Sequence, residues 1–294
     1  MFHRLLVEKD VPIPVRDGGH VFANVFRPAD AGEFPVIITL GPYPKDIHFS
    51  QWNPAAWKVM PVQNEHMHWE TVDPEWWVPQ GYAVVRCDTR GTGKSPGRPR
   101  LLSRAEAEDF CDCVEWAGTQ SWSCGRVAVM GVSYFAMNAW RVAALRPPHL
   151  AAIVPWEGAV DLFRDAGRHG GIFSAGFMRM WGGHVRRHQT DGGASDPAPL
   201  PPETIGELHA RNHPNLADIE VPLLMLAARG DELVAAAQMF AAEKLVATPP
   251  AQIKKMVAAC NHLGLFMGTR TLTENWPAIA RWMSADAEPR AISG

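Results

Sequence analysis

The sequence predicts an α/β fold, a mostly parallel sheet flanked by helices, and three observations predict it. Short apolar runs alternate with amphipathic stretches along the chain, as strands alternate with the helices that cross between them. Several runs end in loops rich in glycine, proline or acidic residues, the places where an open α/β sheet carries ligands. One run, Arg126-Val-Ala-Val-Met130, breaks at Gly131, puts Ser133 on a turn and continues as a helix-like segment as far as Pro147-Pro148. A serine on a sharp strand-to-helix turn is the layout of a nucleophile elbow. The turn projects the hydroxyl from the top of the sheet. The following backbone N–H points the same way, at a helix N-terminus suited to a developing oxyanion.

The elbow departs from the simplest G-x-S-x-G pattern. Position 135 is Phe, and the small residue comes one later, at Ala136. A serine after an apolar strand is often only a turn residue, so the rest of the chain has to supply its chemical partners.

Composition bounds the answer. The 294 residues are 47% hydrophobic and 20% charged, which suits one large globular domain with a sub-domain. A formal net charge of −3 with no long basic run argues against a nucleic-acid partner. No apolar stretch approaches the roughly 20 residues that cross a bilayer, and the N-terminus has no apolar core of signal-peptide length. The expectation is a cytoplasmic protein with no membrane partner. Cys87, Cys111, Cys113, Cys124 and Cys260 are odd in number and scattered, so they read as thiols of the fold rather than as a disulfide framework or a zinc site.

The elements follow in order. Residues 5–15 and 21–27 read as strands joined by a hairpin turn at Asp17-Gly18-Gly19, and both are expected to run against the parallel sheet. Residues 34–40, FPVIITL, form a third strand, which ends in the loop Gly41-Pro-Tyr43-Pro-Lys45-Asp46. Residues 46–61 show no periodic signal. Asp73-Pro74 then opens a short helix, with the aspartate as cap and the proline at the first position. Residues 81–87 are a fourth strand, running into Asp88-Thr-Arg-Gly-Thr-Gly-Lys-Ser95. That loop ends like a phosphate-binding loop, but Asp88 stands where its first glycine belongs and would repel a phosphate. Residues 103–119 form a helix, started by a capping box of Ser103 and Glu106. Residues 150–155 are a strand ending at Trp156-Glu157-Gly158.

From residue 159 the composition shifts to Gly, His, Arg and Met. Gly182-Gly183 and Gly192-Gly193 interrupt the stretch, which reads as several short helices without a strand. The expected organisation is a core of residues 1–158 and 219–294, with 159–218 as an inserted helical cap over the strand ends. Residues 221–227 return to the sheet and end in Arg229-Gly-Asp231-Glu232, and 233–246 are helical. Residues 253–259 are the last strand, ending in Cys260-Asn261-His262, and 271–283 close the fold as a helix.

Three strand ends thus carry Ser133, Asp231 and His262, in that order, which is the chain order of the α/β-hydrolase fold. A serine hydroxyl is a weak nucleophile at neutral pH and needs an adjacent base. Histidine suits that task, because its pKa lies near 6.5. The aspartate would fix the tautomer and steady the imidazolium. A rival metal site is His66-Met-His68-Trp-Glu70, whose alternate residues share a face if extended. Spacing fixes no third histidine there and no H-E-x-x-H helix is present, so neither a metal nor a cofactor is expected.

These motifs resemble the cocaine-esterase and X-prolyl dipeptidyl-peptidase group of α/β-hydrolases, the CocE/NonD hydrolases. Val15-Arg-Asp-Gly18 is similar to the family's opening, Gly41-Pro-Tyr43-Pro-Lys45 to its TPYGK loop, and residues 88–97 to its D.RG.G.S.G segment. Gly131-Val-Ser133-Tyr134-Phe-Ala136, followed by Trp140, resembles its elbow. Asp161-Leu-Phe-Arg164 and Gly170-Gly171 resemble the start of its cap. The family tolerates a large residue at position 135 and keeps the small one next. The resemblance implies an oxyanion hole made of the Tyr43 hydroxyl and the Tyr134 backbone N–H. It also implies a C-terminal jelly-roll domain, for which the 294 residues leave no room. The pocket is then finished by the cap alone or by a partner subunit, as in a homodimer.

The reading is a serine hydrolase that cleaves an ester or amide bond of a small-molecule acyl substrate through an acyl-enzyme. Trp156, Phe177 and Trp181 are candidates for an apolar pocket wall. An acyltransferase or a C–C bond hydrolase would use the same three residues, and a non-catalytic binding protein would keep only the fold.

Overall fold

Alternation of side chains along each strand builds two cores, one on each face of a single sheet. Val36, Ile38 and Leu40 pack on one face with Phe110, Val114 and Trp140, while Ile37 packs on the other with Trp77, Trp156 and Trp276. The computed structural model describes residues 3–161, 163–169, 172–187, 214–231 and 233–285.

The strands are β1 (Leu5–Pro14), β2 (His20–Pro28), β3 (Phe34–Gly41), β4 (Ala83–Asp88), β5 (Ser123–Val132), β6 (Leu150–Trp156), β7 (Arg168–His169), β8 (Ile172–Phe173), β9 (Leu223–Ala228) and β10 (Ile253–Ala258). Eight of them form one sheet in the order β1-β2-β4-β3-β5-β6-β9-β10. From β4 to β10 all neighbours are parallel. β2 pairs antiparallel with both β1 and β4. The hairpin expectation is therefore half right, because β1 turns back into the common direction and only β2 runs against it.

Helices pack on both faces. They are α1 (Phe49–Trp52), α2 (Pro54–Val59), α3 (Pro74–Trp77), α4 (Arg104–Gly118), α5 (Tyr134–Ala143), α6 (Ala175–Arg187), α7 (Ala236–Phe240), α8 (Gly264–Met267) and α9 (Trp276–Ala285). α3 starts as expected, with the Asp73 side chain accepting from the Glu75 backbone N–H at 2.9 Å. α4 begins at Ser103, whose hydroxyl accepts from Glu106 N at 3.2 Å. Glu106 does not complete a capping box with Ser103. Its carboxylate accepts from the Leu102 backbone N–H at 2.6 Å and from the Tyr134 hydroxyl at 2.7 Å, tying the start of α4 to the elbow.

Other expectations need correction. Residues 46–61 hold two short helices, each fixed by a cap from His48 or Asn53 rather than by apolar periodicity. The segment 233–246 is helical only over α7 and the short 3-10 turn Ala241–Lys244. In the expected cap, β7 and β8 form a two-stranded ladder where no strand was read. α6 runs through Gly182-Gly183 without a break, although each internal glycine costs roughly 1 kcal/mol against alanine. Residues 188–213, the remainder of the expected cap, lie outside the described residues.

Candidate active site

The elbow is built by close approach. Ser133 holds φ 56° and ψ −111°, a left-handed conformation that a residue with a Cβ adopts only under constraint. Its backbone N–H donates to the Trp156 carbonyl at 2.9 Å and its carbonyl accepts from Met137 N at 2.9 Å. Ser133 is the N-cap of α5, yet its hydroxyl makes no capping hydrogen bond and stays available for other chemistry.

The two residues that looked out of place are explained by their neighbours. A Cβ on Gly131 would stand 2.5 Å from Phe135 Cβ, and a Cβ on Gly41 would stand 2.6 Å from the Phe135 ring. Phe135 thus fills the space that two glycines leave open. The tight contact falls one residue later, where a Cβ on Gly158 would come within 2.2 Å of Ala136 Cβ. Position 136 therefore has to be small, and position 135 does not.

Asp231 and His262 are brought together by the register of the last two strands. Ala228 pairs with Ala258 at the end of β9 and β10. Beyond that pair, Arg229 N donates to the Ala258 carbonyl and Gly230 N to the Cys260 carbonyl, both at 2.9 Å. Asp231 Oδ1 accepts from the backbone N–H groups of Leu233 and Val234, at 2.6 and 3.0 Å, leaving Oδ2 2.6 Å from His262 Nδ1. Burial works to raise the Asp231 pKa, but His262 and the two N–H groups outweigh it and hold the carboxylate below its ordinary range. Burial likewise works to lower the His262 pKa, and the neighbouring Asp231, Glu70 and Glu157 reverse it, so the imidazole titrates above its ordinary value. His262 Nε2 is buried without a hydrogen-bond partner.

Tyr43 is 3% exposed, at the end of β3. Its hydroxyl accepts from Trp181 Nε1 at 3.2 Å, and its ring meets Tyr134 and Phe135 edge-on. Burial, reinforced by the charge of Glu70, pushes the phenol well above its ordinary pKa, so it is a neutral donor at physiological pH. The Tyr134 ring is fully buried and stacks on Trp181 at 6.0 Å. Trp181 and the half-buried Phe177 lie four residues apart on α6, on one face of the helix. Trp156 differs: it is fully buried and its ring packs 5.8 Å from Trp276 in the core under the sheet.

One residue the sequence placed in the wrong context is Glu70. His66, His68 and Glu70 do not converge as the metal reading required. The His68 nitrogens lie 3.0 and 2.9 Å from the Trp69 and Pro44 carbonyl oxygens, fastening the loop. Glu70 instead turns to the elbow. Its carbonyl accepts from Val132 N at 3.1 Å and its carboxyl Oε1 lies 3.8 Å from His262 Nε2. Trp69 and Met137 pack half-buried against the apolar cluster that holds Tyr43, Tyr134 and Phe135. No residue-type pattern marks Glu70 and Trp69, because loop 60–73 reaches the site by a path that spacing does not encode; Met137 lies on α5, four residues after Ser133.

The strand order, the strained serine between β5 and α5, and the Asp–His pair after β9 and β10 define an α/β-hydrolase. The profile of the X-Pro dipeptidyl-peptidase (S15) family matches residues 17–200, and the chain belongs to that family. It is 33% identical to the cocaine esterase of a Rhodococcus strain over 162 residues, which are 54% of this chain and 25% of that protein. The chain thus spans a small part of the curated relatives it matches. Among solved structures it is similar to a CocE/NonD family hydrolase from Staphylococcus aureus, with a TM-score of 0.81 and 29% identity over 97% of this chain and 52% of that one. A Pyrococcus furiosus esterase shares the fold, with a TM-score of 0.61, 16% identity, and coverage of 96% of this chain and 91% of that one. Among the described residues no helix is long and apolar enough to cross a membrane.

Proposed function

We propose that this protein is a serine hydrolase that cleaves an ester or amide bond of a small acyl substrate through an acyl-enzyme. Ser133 attacks the carbonyl, His262 takes the hydroxyl proton, and Asp231 orients the imidazole. The Tyr43 hydroxyl and the Tyr134 backbone N–H hold the oxyanion. His262 then passes the proton to the leaving group, and water repeats the sequence on the acyl-enzyme. The observation that carries this reading is the combination of an uncapped hydroxyl on a left-handed Ser133 with a His262 whose Nδ1 is spent on Asp231 and whose Nε2 is free. Nucleophile–base hydrogen bonds often tighten only once substrate binds. Membership of the S15 family and the likeness to cocaine esterase support the reaction class. Phe177 and Trp181 form the apolar wall of the acyl pocket, supported by the hydrogen bond of Trp181 to Tyr43.

The test is turnover of a short-chain p-nitrophenyl ester together with labelling by a fluorophosphonate. Wild-type protein should be labelled at Ser133, and Ser133→Ala should lose label and at least about 10³-fold in turnover. Wild-type turnover by the alanine variant would sink the reading.

A further inference from the structure

Glu70 is a buried carboxyl in the site, and the mechanism above does not use it. It is 4% exposed, and Oε2 has no hydrogen-bond partner. Its backbone sits at φ 56°, left-handed like that of Ser133, and is tied by its carbonyl to the residue before Ser133. Such a conformation at a non-glycine residue persists only where the surroundings impose it. The Tyr43 hydroxyl, the Trp69 indole and the Tyr134 backbone N–H all approach the carboxyl closely enough to favour its charged form. Two of those three groups are the donors assigned above to the oxyanion. The carboxyl Oε1 lies 3.8 Å from His262 Nε2, so Glu70 borders the space in which the mechanism above holds the reacting carbonyl.

We propose that Glu70 is a further member of the catalytic site, working as a neutral hydrogen-bonding carboxylic acid beside the oxyanion, and that its carboxylate form blocks acyl transfer. This rests on the reading of Ser133 as nucleophile. When the Oγ–carbon bond forms, the Ser133 proton goes to His262 Nε2 and the carbonyl π pair goes to the oxygen. Tyr43 and Tyr134 N–H donate to that oxygen, and Glu70 O–H adds a third donor. On collapse the pair returns, the leaving-group bond breaks and His262 gives up its proton. Glu70 begins and ends the cycle protonated. An ionised Glu70 would instead place a second negative charge beside the oxyanion at a buried position, and compete for the same donors.

The surroundings keep the acid form within reach at neutral pH. Burial pushes the carboxyl up to about 7, against the opposing pull of His262, Trp69, Tyr43 and the Tyr134 N–H. The charged and titratable groups around the pair are Tyr43 and His262 facing Glu70, with Asp231 and Glu157 facing His262. Each of Glu70 and His262 thus shifts the titration of the other. The reactive form carries one proton, on Glu70 and not on His262.

The experiment is the pH dependence of kcat/KM for an uncharged p-nitrophenyl ester, beside fluorophosphonate labelling at neutral pH. Wild type should give a bell, rising as His262 loses its proton and falling about a hundredfold as the pair loses its second. Glu70→Gln should keep the rising limb and stay flat to pH 9, with turnover within about tenfold of the wild-type maximum. Glu70→Met, of similar length and without the donor, should also lose the falling limb but turn over about 10²-fold more slowly. A wild-type profile with no alkaline fall, or the same fall in either variant, overturns the proposal. So does a Gln variant faster than wild type at every pH, which would make the carboxyl a mere obstruction. Absence of label and turnover in wild type would instead strike at the hydrolase reading itself.

Discussion

Two carboxyl groups flank the His262 imidazole, and they come from opposite ends of the fold. Asp231 follows β9 and meets Nδ1 at 2.6 Å; Glu70 lies in the loop before α3, 3.8 Å from Nε2. Both side chains are almost fully buried, with 1% and 6% exposed. Burial pushes both carboxyls toward the neutral form, yet Asp231 ends below its ordinary pKa and Glu70 ends at about 7. The difference lies in what each oxygen meets. Asp231 has two backbone N–H groups on one oxygen and the imidazole on the other. Glu70 is approached by the Tyr43 hydroxyl, the Trp69 indole and the Tyr134 N–H, yet one of its oxygens has no hydrogen-bond partner and it stands beyond hydrogen-bond length from the ring. Burial sets how strongly a charge is penalised, and partners decide whether it is kept. The oxygen left without a partner is what separates Glu70 from Asp231.

The comparison breaks most visibly at Asp231. Asp231→Asn keeps the shape but offers the imidazole an amide, which favours the wrong tautomer and leaves the imidazolium unsupported. Ester turnover should fall by about 10⁴-fold. A loss smaller than tenfold would mean that Asp231 and Glu70 are interchangeable neighbours of the ring. Tyr43→Phe sharpens the other side. It removes the neutral donor proposed for the oxyanion and leaves Trp181 Nε1 without its acceptor. The expected loss is about 10²–10³-fold in kcat with KM little changed, read from steady-state kinetics on the same ester. A change confined to KM would assign Tyr43 to substrate binding alone.

The two flanks also differ in how far the sequence revealed them. Ser133, Asp231 and His262 could be picked out as candidates because each follows an apolar run that ends in a turn, and strand ends in a parallel sheet point to one edge. Tyr43 became a candidate only through the family-like loop around it. The fold's least regular part hid the rest. Glu70 sits in a loop whose path is fixed by single contacts, such as the His68 nitrogens on the Pro44 and Trp69 carbonyls. Contacts of that kind leave no period to read. α6 misled for the opposite reason: Gly182 and Gly183 looked like breakers, yet the helix passes through both, and nothing within 4 Å crowds either position. Trp156 looked like pocket lining because it ends a strand beside the elbow. Only its pairing with Val132 across β5 and β6 and its packing on Trp276 assign the ring to the core.

A third carboxyl tests whether unequal partnering is the general rule here. Glu157 follows β6 directly and is 1% exposed. Oε1 accepts from the Ala228 backbone N–H, and Oε2 has no partner. Burial pushes its pKa up to about 8, the Ala228 N–H works against that, and the Asp231 charge adds to it. An unfolded chain releases the same proton at about pH 4.3. Between these two values the folded protein binds more protons than the unfolded one, so this carboxyl makes stability fall as pH rises through the window. Glutamine cannot ionise and keeps an oxygen for Ala228. Glu157→Gln should therefore melt close to wild type at pH 5 and roughly 2–6 °C above it at pH 9, followed by circular dichroism. A gap that does not grow with pH would show that Glu157 holds its charge despite its single donor, and would return the contrast between Asp231 and Glu70 to their distances from His262.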